Sequence, residues 1–200
     1  MVLFDLQCGA RENVVCNLAW DWEVRVPLGK DLTVSVFVVP RRFVKGRKRE
    51  RVLICNSVAQ SIIETQRGLH PDRVFTYARP VKAGKKAKHV PIGSMNNTAW
   101  QRVREEAELG DLHVHDLRHT VGMRLRDAGV APETRDEVLW HNSKEMSTHY
   151  AIAQVREVYQ ALERITAPSE EGESLNLLAL AQGRGRARVP QNSPTQRKTA

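Results

Sequence analysis

The stretch His113–Leu125, HVHDLRHTVGMRL, decides how this chain is read. Leu117, Val121 and Leu125 recur four residues apart, which is the apolar stripe of an amphipathic helix. His115 and Arg118 fall three apart, on a helix face of their own. Burying one side of a helix requires neither group. Arginine keeps its charge and presents a planar fork suited to carboxylate or phosphate, and histidine exchanges a proton near neutral pH. Side by side at a helix start, the two suit a site that holds an anion while a proton moves.

Around that stretch, a chain of 200 residues accommodates one full domain and a tail. A hydrophobic fraction of 41% supports a packed core. Lysine and arginine number 31 against 23 acidic residues, a formal charge of +8 that favours polyanionic partners, nucleic acid ahead of a membrane surface. Cys8, Cys16 and Cys55 are odd in number and form no C-x-x-C pair, which disfavours a disulfide framework or a cysteine zinc site and predicts reduced thiols in the cytoplasm. No apolar run is long enough to cross a bilayer, and the start MVLFDLQCGAR lacks the layout of a signal peptide. A soluble intracellular protein is expected.

Local patterns predict an α+β fold, mainly α, with a small three-stranded antiparallel sheet. Val2 to about Leu18 is expected to be helical with a break at CGAR, Cys8–Arg11. EVRVP (Glu23–Pro27) and TVSVFVVP (Thr33–Pro40) form a hairpin signal, and RVLIC (Arg51–Cys55) supplies a third strand. Helices follow over Ser57–Gly68 and Asn97–Gly110, each closed by glycine. The His113 helix runs to Gly129, and Pro132 opens PETRDEVLW. A last helix, Gln154–Ile165, puts Val155, Val158, Tyr159, Leu162 and Ile165 on one face, to pack on its own core or to dock on a neighbouring protomer. From about Ala167 the chain turns polar and rich in Gly, Pro and Ser. The expected organisation is a domain over residues 1–166 and a flexible basic tail over 167–200.

Two basic stretches are candidate contacts to a phosphate backbone. RRFVKGRKRER (Arg41–Arg51) lies between two strands, where like charges destabilise a sheet unless they serve another purpose. One such purpose is a solvated edge that blocks strand aggregation; the other is DNA contact through Arg41, Arg42, Arg47 and Lys48. VKAGKKAKH (Val81–His89), between helices, adds Lys82, Lys85 and Lys86. Contacts of this kind give salt-dependent affinity without sequence information.

The remaining chemistry sits in GAR at Gly9–Arg11 and in LWHNSKEMSTHYA, where His141 stands nine residues before Tyr150. Each alone is bland: a helix-terminal charge, a structural histidine, a packing tyrosine. In order, GAR, a lysine in a β-hairpin, HDLRHT, then His and Tyr nine apart resemble the tyrosine recombinase (phage integrase) family over about Leu3–Ile165. The resemblance implies that family's DNA breaking-rejoining catalytic fold, with Arg11, Lys45, His115, Arg118, His141 and the nucleophile Tyr150 as the catalytic set. Lys45 is preferred to Lys48 because KGRKRERV matches the family's lysine–glycine–strand pattern. It implies double-stranded DNA as partner, no cofactor, no metal, no membrane, a monomer in solution and a homotetramer in the synaptic complex, in a bacterial or phage-encoded, nucleoid-associated setting. His115, at a helix start, is expected to stay neutral because the helix dipole disfavours imidazolium there.

Three departures from the family pattern carry expectations of their own. Only ten residues precede Arg11, so a chain N-terminally truncated relative to the family, without its core-binding domain, is expected. Val14 stands where an acid usually supports the GxR arginine, with Glu12 and Asn13 as substitutes. Trp140 stands where glycine commonly precedes the histidine. Rival functions are a DNA-binding integrase remnant without turnover, and a metal-dependent hydrolase built on His113, His115, His119 and His141. A type IB topoisomerase shares the tyrosine chemistry, but no strand-swivelling element is visible.

Overall fold

The computed structural model describes residues 1–79, 87–141 and 151–167. Two short helices, α1 (Val2–Cys8) and α2 (Glu12–Asn17), flank the break at Gly9. Strands β1 (Glu23–Pro27), β2 (Thr33–Val39) and β3 (Arg51–Ile54) form an antiparallel sheet in the order β1-β2-β3. Helix α3 (Ser57–Gln66) follows, then β4 (Thr76–Arg79) and β5 (Lys88–Pro91), then α4 (Thr98–Glu106), α5 (Val114–Asp127), α6 (Pro132–Val138) and α7 (Ala151–Glu163).

The central strand β2 is buried on both faces, which explains its β-branched richness. Phe37 and Val39 face a core shared with Phe4, Val14, Leu18, Ile63 and Leu117. Val34 and Val36 face a second core with Val121, Leu125, Val138 and Leu162. The sheet is therefore sandwiched, and α5 lends apolar residues to both layers. Buried Asn56 ties three helices together: its side chain caps α3 through the Ala59 amide (2.9 Å) and donates to Gln7 Oε1 (2.9 Å) and the Leu162 carbonyl (3.0 Å). All three cysteines are free and buried. No helix among the described residues is long and apolar enough to cross a membrane.

Three expectations need correction, and one open choice is settled. The basic stretch Val81–His89 does not lie between helices; its described end, Lys88 and His89, belongs to β5, which pairs with β4 in a second, two-stranded sheet. Mostly exposed strands with charged residues carry no apolar alternation to betray them. Helix α4 ends at Glu106 rather than Gly110, because Glu108 itself takes the left-handed turn at φ 56°. Helix α6 ends at Val138, short of Trp140. For the last helix, the open choice resolves inward: Val158, Leu162 and Ile165 are buried in the second core, with Val155 and Tyr159 packed against it.

The end of α6 also explains Trp140. The Trp140 amide donates to the Glu137 carbonyl (3.2 Å) and the His141 amide to that of Asp136 (2.8 Å), the paired bonds of a Schellman motif. That motif puts Trp140 at the left-handed position, φ 52°, where glycine is preferred. The strain of about 1–2 kcal/mol is offset because the indole is buried and donates from Nε1 to the Val52 carbonyl (3.0 Å). Trp140→Gly is expected to relieve the strain yet lower unfolding free energy by about 2 kcal/mol, since truncating a buried aromatic costs about 3–5 kcal/mol. A stabilised variant in urea titration would contradict this balance.

Candidate functional site

One cleft, of about 560 Å³, gathers side chains from four separated segments. The α1–α2 turn supplies Arg11, the β2–β3 connection Lys45, α5 His115, Arg118, His119 and Arg126, and the end of α6 Arg135, Asp136 and His141.

The turn follows from Gly9. With φ +60° it ends α1 in the left-handed conformation, its amide bonded to the Asp5 carbonyl (2.7 Å). A Cβ there would stand 2.9 Å from Val121 Cγ1 and 3.0 Å from Leu139 Cδ2, so glycine is required for space as well as for φ. The chain then leaves α1 sharply, and Arg11 becomes the N-cap of α2 with extended backbone. Its guanidinium is half-buried, and that burial lowers its pKa.

Arg118 is the fixed centre. It is 5% exposed, donating from Nη1 to the Gly9 carbonyl (2.6 Å) and from Nη2 to the Leu139 carbonyl. One residue thus joins the GAR turn to the end of α6. A guanidinium has five N–H donors, so two bonds to carbonyls leave donors for the cleft. Burial, then the neighbouring Arg11, brings its pKa down to about 10, which keeps it charged at neutral pH.

His115 lies in the first turn of α5 and is exposed to the cleft. The preceding backbone is secured by the His113 amide donating to Asp116 Oδ2 (2.7 Å). Its pKa is lowered by partial burial first, then by His119 and Arg118, against an opposing pull from Asp116. The direction agrees with the expected neutral imidazole, while the causes are burial and nearby cationic groups. The His115 and His119 rings meet edge to face, centroids 4.7 Å apart. That pair gains no further partners for a metal: no group of three or more potential ligands occurs among the described residues.

Lys45 is exposed and followed by Gly46 (φ 85°) and Arg47 (φ 52°), a tight turn that brings its side chain over the cleft. Lys48 is not among the lining residues. His141 is exposed, with Nδ1 3.3 Å from Asp136 Oδ1. Arg41, Arg42, Arg47 and Lys48 are all exposed on the β2–β3 connection, Arg42 lying over the Phe43 ring at 5.0 Å. Tyr150, Lys82, Lys85, Lys86 and the tail from Pro168 lie outside the described residues.

Neither expected substitute for the missing acid touches Arg11. The Glu12 carboxylate accepts from Ser94 Oγ (2.7 Å) and from the amides of Met95 (2.7 Å) and Asn96 (3.3 Å); these bonds hold its pKa below the ordinary range although burial raises it. Asn13 donates to the Phe43 carbonyl (3.5 Å). The acid near Arg118 is instead Asp5 on α1, 1% exposed, whose carboxylate accepts from the Ala10 amide. Sequence spacing gave no sign of it. Arg126 could have been found as the continuation of the His115–His119 face along α5; Arg135, on another helix, could not.

Five basic side chains (four arginines and a lysine), three imidazoles and one carboxylate around a cleft define an anion-binding site with proton carriers in its walls. The profile of the phage integrase family matches residues 1–157, and the chain belongs to that family. It is 29% identical over 154 residues to the integrase of Salmonella phage P22, covering 76% of this chain and 38% of that protein. It is 33% identical over 157 residues to transposase B from transposon Tn554 of Staphylococcus aureus, covering 76% of this chain and 24% of that one. The chain spans well under half the length of either relative. No solved structure matches it. Mixed helices and small antiparallel sheets are consistent with an integrase catalytic domain, and membership associates the chain with DNA recombination and integration.

Proposed function

We propose that residues 1–166 form the catalytic domain of a tyrosine recombinase that cuts and rejoins duplex DNA without a metal or cofactor, followed by a basic tail. The observation that carries this is the convergence of Arg11, Lys45, His115, Arg118 and His141, far apart in sequence, on one cleft.

Arg11 and Arg118 clamp the non-bridging oxygens of the scissile phosphate, whose charge must be held as phosphorus becomes pentacoordinate. The Tyr150 hydroxyl attacks phosphorus in line and the bond to the 5′-oxygen breaks, leaving a 3′-phosphotyrosyl linkage. The phenolic proton passes to His115, whose lowered pKa keeps it neutral and able to accept. Lys45 gives a proton to the leaving 5′-oxygen, and His141 donates a hydrogen bond to the phosphate. Rejoining reverses these transfers when another strand's 5′-hydroxyl attacks the phosphotyrosine. Arg41, Arg42, Arg47, Lys48, Lys82, Lys85 and Lys86 grip the backbone, and strand exchange takes place in a synaptic homotetramer.

The test is covalent trapping. Supercoiled DNA carrying the gene's own genomic flanks is incubated with wild type and with Tyr150→Phe in the presence of chelator, then run on a denaturing gel. A protein–DNA adduct with wild type alone is expected. DNA binding without an adduct would replace this function with that of an inert DNA-binding remnant.

A further inference from the structure

The cleft holds more cations than one phosphate uses. Arg11, Lys45 and Arg118 have parts in the chemistry proposed above, which leaves Arg126 and Arg135 in the same walls. Along α5, His115, Arg118, His119, Gly122, Met123 and Arg126 follow one face at helical spacing, and all line the cleft. Arg126 stands eight residues beyond Arg118, about 12 Å along the helix axis. Arg135 reaches the same space from α6.

Most other arginines of the fold are engaged. Arg25 and Arg67 pair with Glu64, and Arg124, two residues before Arg126, donates to the Leu6, Ile165 and Ala167 carbonyls. Arg126 is exposed to the cleft and makes no side-chain hydrogen bond or ion pair among the described residues. Arg135 keeps a buried Nε–H without a hydrogen-bond partner. The single carboxylate in the cleft, Asp136, faces His141 rather than standing alone. One DNA strand carries a phosphate for about every 3.4 Å of duplex axis, so a cationic wall of this length meets more than one.

We infer that Arg126 and Arg135 form a second phosphate subsite, holding a backbone phosphate of the cut strand beside the scissile one. This rests on the recombinase function proposed above and extends it to how the strand is seated. The alternative for both residues is a purely structural one, as cations in the last turns of α5 and α6 that complement the helix dipoles.

The two are separated by salt dependence. Binding of duplex DNA carrying the gene's flanks is measured over a range of salt for wild type, Arg126→Gln, the Arg126→Gln/Arg135→Gln pair and Arg102→Gln. The last removes an α4 arginine that pairs with Glu106 outside the cleft. The slope of log affinity against log salt is expected to fall by about 0.9 in the double variant, the loss of one phosphate contact, and by part of that in Arg126→Gln. Arg102→Gln is expected to keep the wild-type slope. An unchanged slope in Arg126→Gln, an exposed site whose change does not threaten folding, would overturn the subsite even if the double variant were unstable. Wild type that binds no DNA would instead remove the recombinase function, a distinct failure.

Discussion

Arg118→Ala is expected to lose both activity and stability. In the fold, the residue's two donations to Gly9 and Leu139 satisfy carbonyls that no water reaches easily. Leaving such acceptors unpaired costs about 1–3 kcal/mol each, so the unfolding free energy should fall by roughly 2–5 kcal/mol. In the proposed chemistry, losing one preorganised donor from a developing phosphorane costs about 10²–10³ in rate. Arg118→Lys separates the two effects. It keeps the charge but not the fork, so it should retain most DNA affinity, which the other proposed phosphate contacts would supply. Adduct formation at saturating DNA should still drop by at least about 10². Near-wild-type adduct formation by Arg118→Lys would show that charge alone suffices and that the clamp geometry is wrong.

Asp5→Asn is expected to change the pH dependence of stability. Burial pushes the Asp5 carboxyl up from an ordinary 3.8 to about 7, although Arg118 draws it down. Its Oδ1 is buried without a hydrogen-bond partner. Below about pH 4 both folded and unfolded chains carry the proton, and Asp5 contributes no pH dependence. Between about 4 and 7 the folded chain keeps a proton that the unfolded chain has released. Stability therefore falls as pH rises through that window and levels off above the folded pKa. Over the whole window the loss is on the order of 4 kcal/mol. Asparagine cannot ionise, so the stability of Asp5→Asn relative to wild type should rise across the same window by that order. Urea unfolding at several pH values checks it; parallel curves for the two proteins would show that the carboxyl titrates normally.

The legible parts of this fold were those set by neighbours in sequence. The break at Gly9, the β1–β2 hairpin, β3, α3 and α5 all follow from spacing, caps and β-branched runs, and each is where that spacing put it. The β4–β5 pair was not legible, because exposed strands need no apolar face. The ends of α4 and α6 were missed for a different reason: Glu108 and Trp140 occupy left-handed positions that the chemistry of a non-glycine residue does not announce.

In the candidate site, the sequence by itself determined the kinds of groups and their order along the chain: a glycine before Arg11, a lysine in a charged connection, an imidazole and a guanidinium on one face of α5, and His141 ahead of Tyr150. Only the tertiary structure decided which of them meet. It set Lys45 rather than Lys48 over the cleft, locked Arg118 between Gly9 and Leu139, and turned Glu12 towards Ser94 while Asp5 took the buried place near Arg118. It also turned the apolar face of α7 onto its own core and added Arg126 and Arg135 to the cleft. The physical reason is range. Backbone hydrogen bonding and side-chain periodicity are fixed within a few residues, whereas burial, and with it the charge and reach of each group, depends on segments brought together from more than a hundred positions apart.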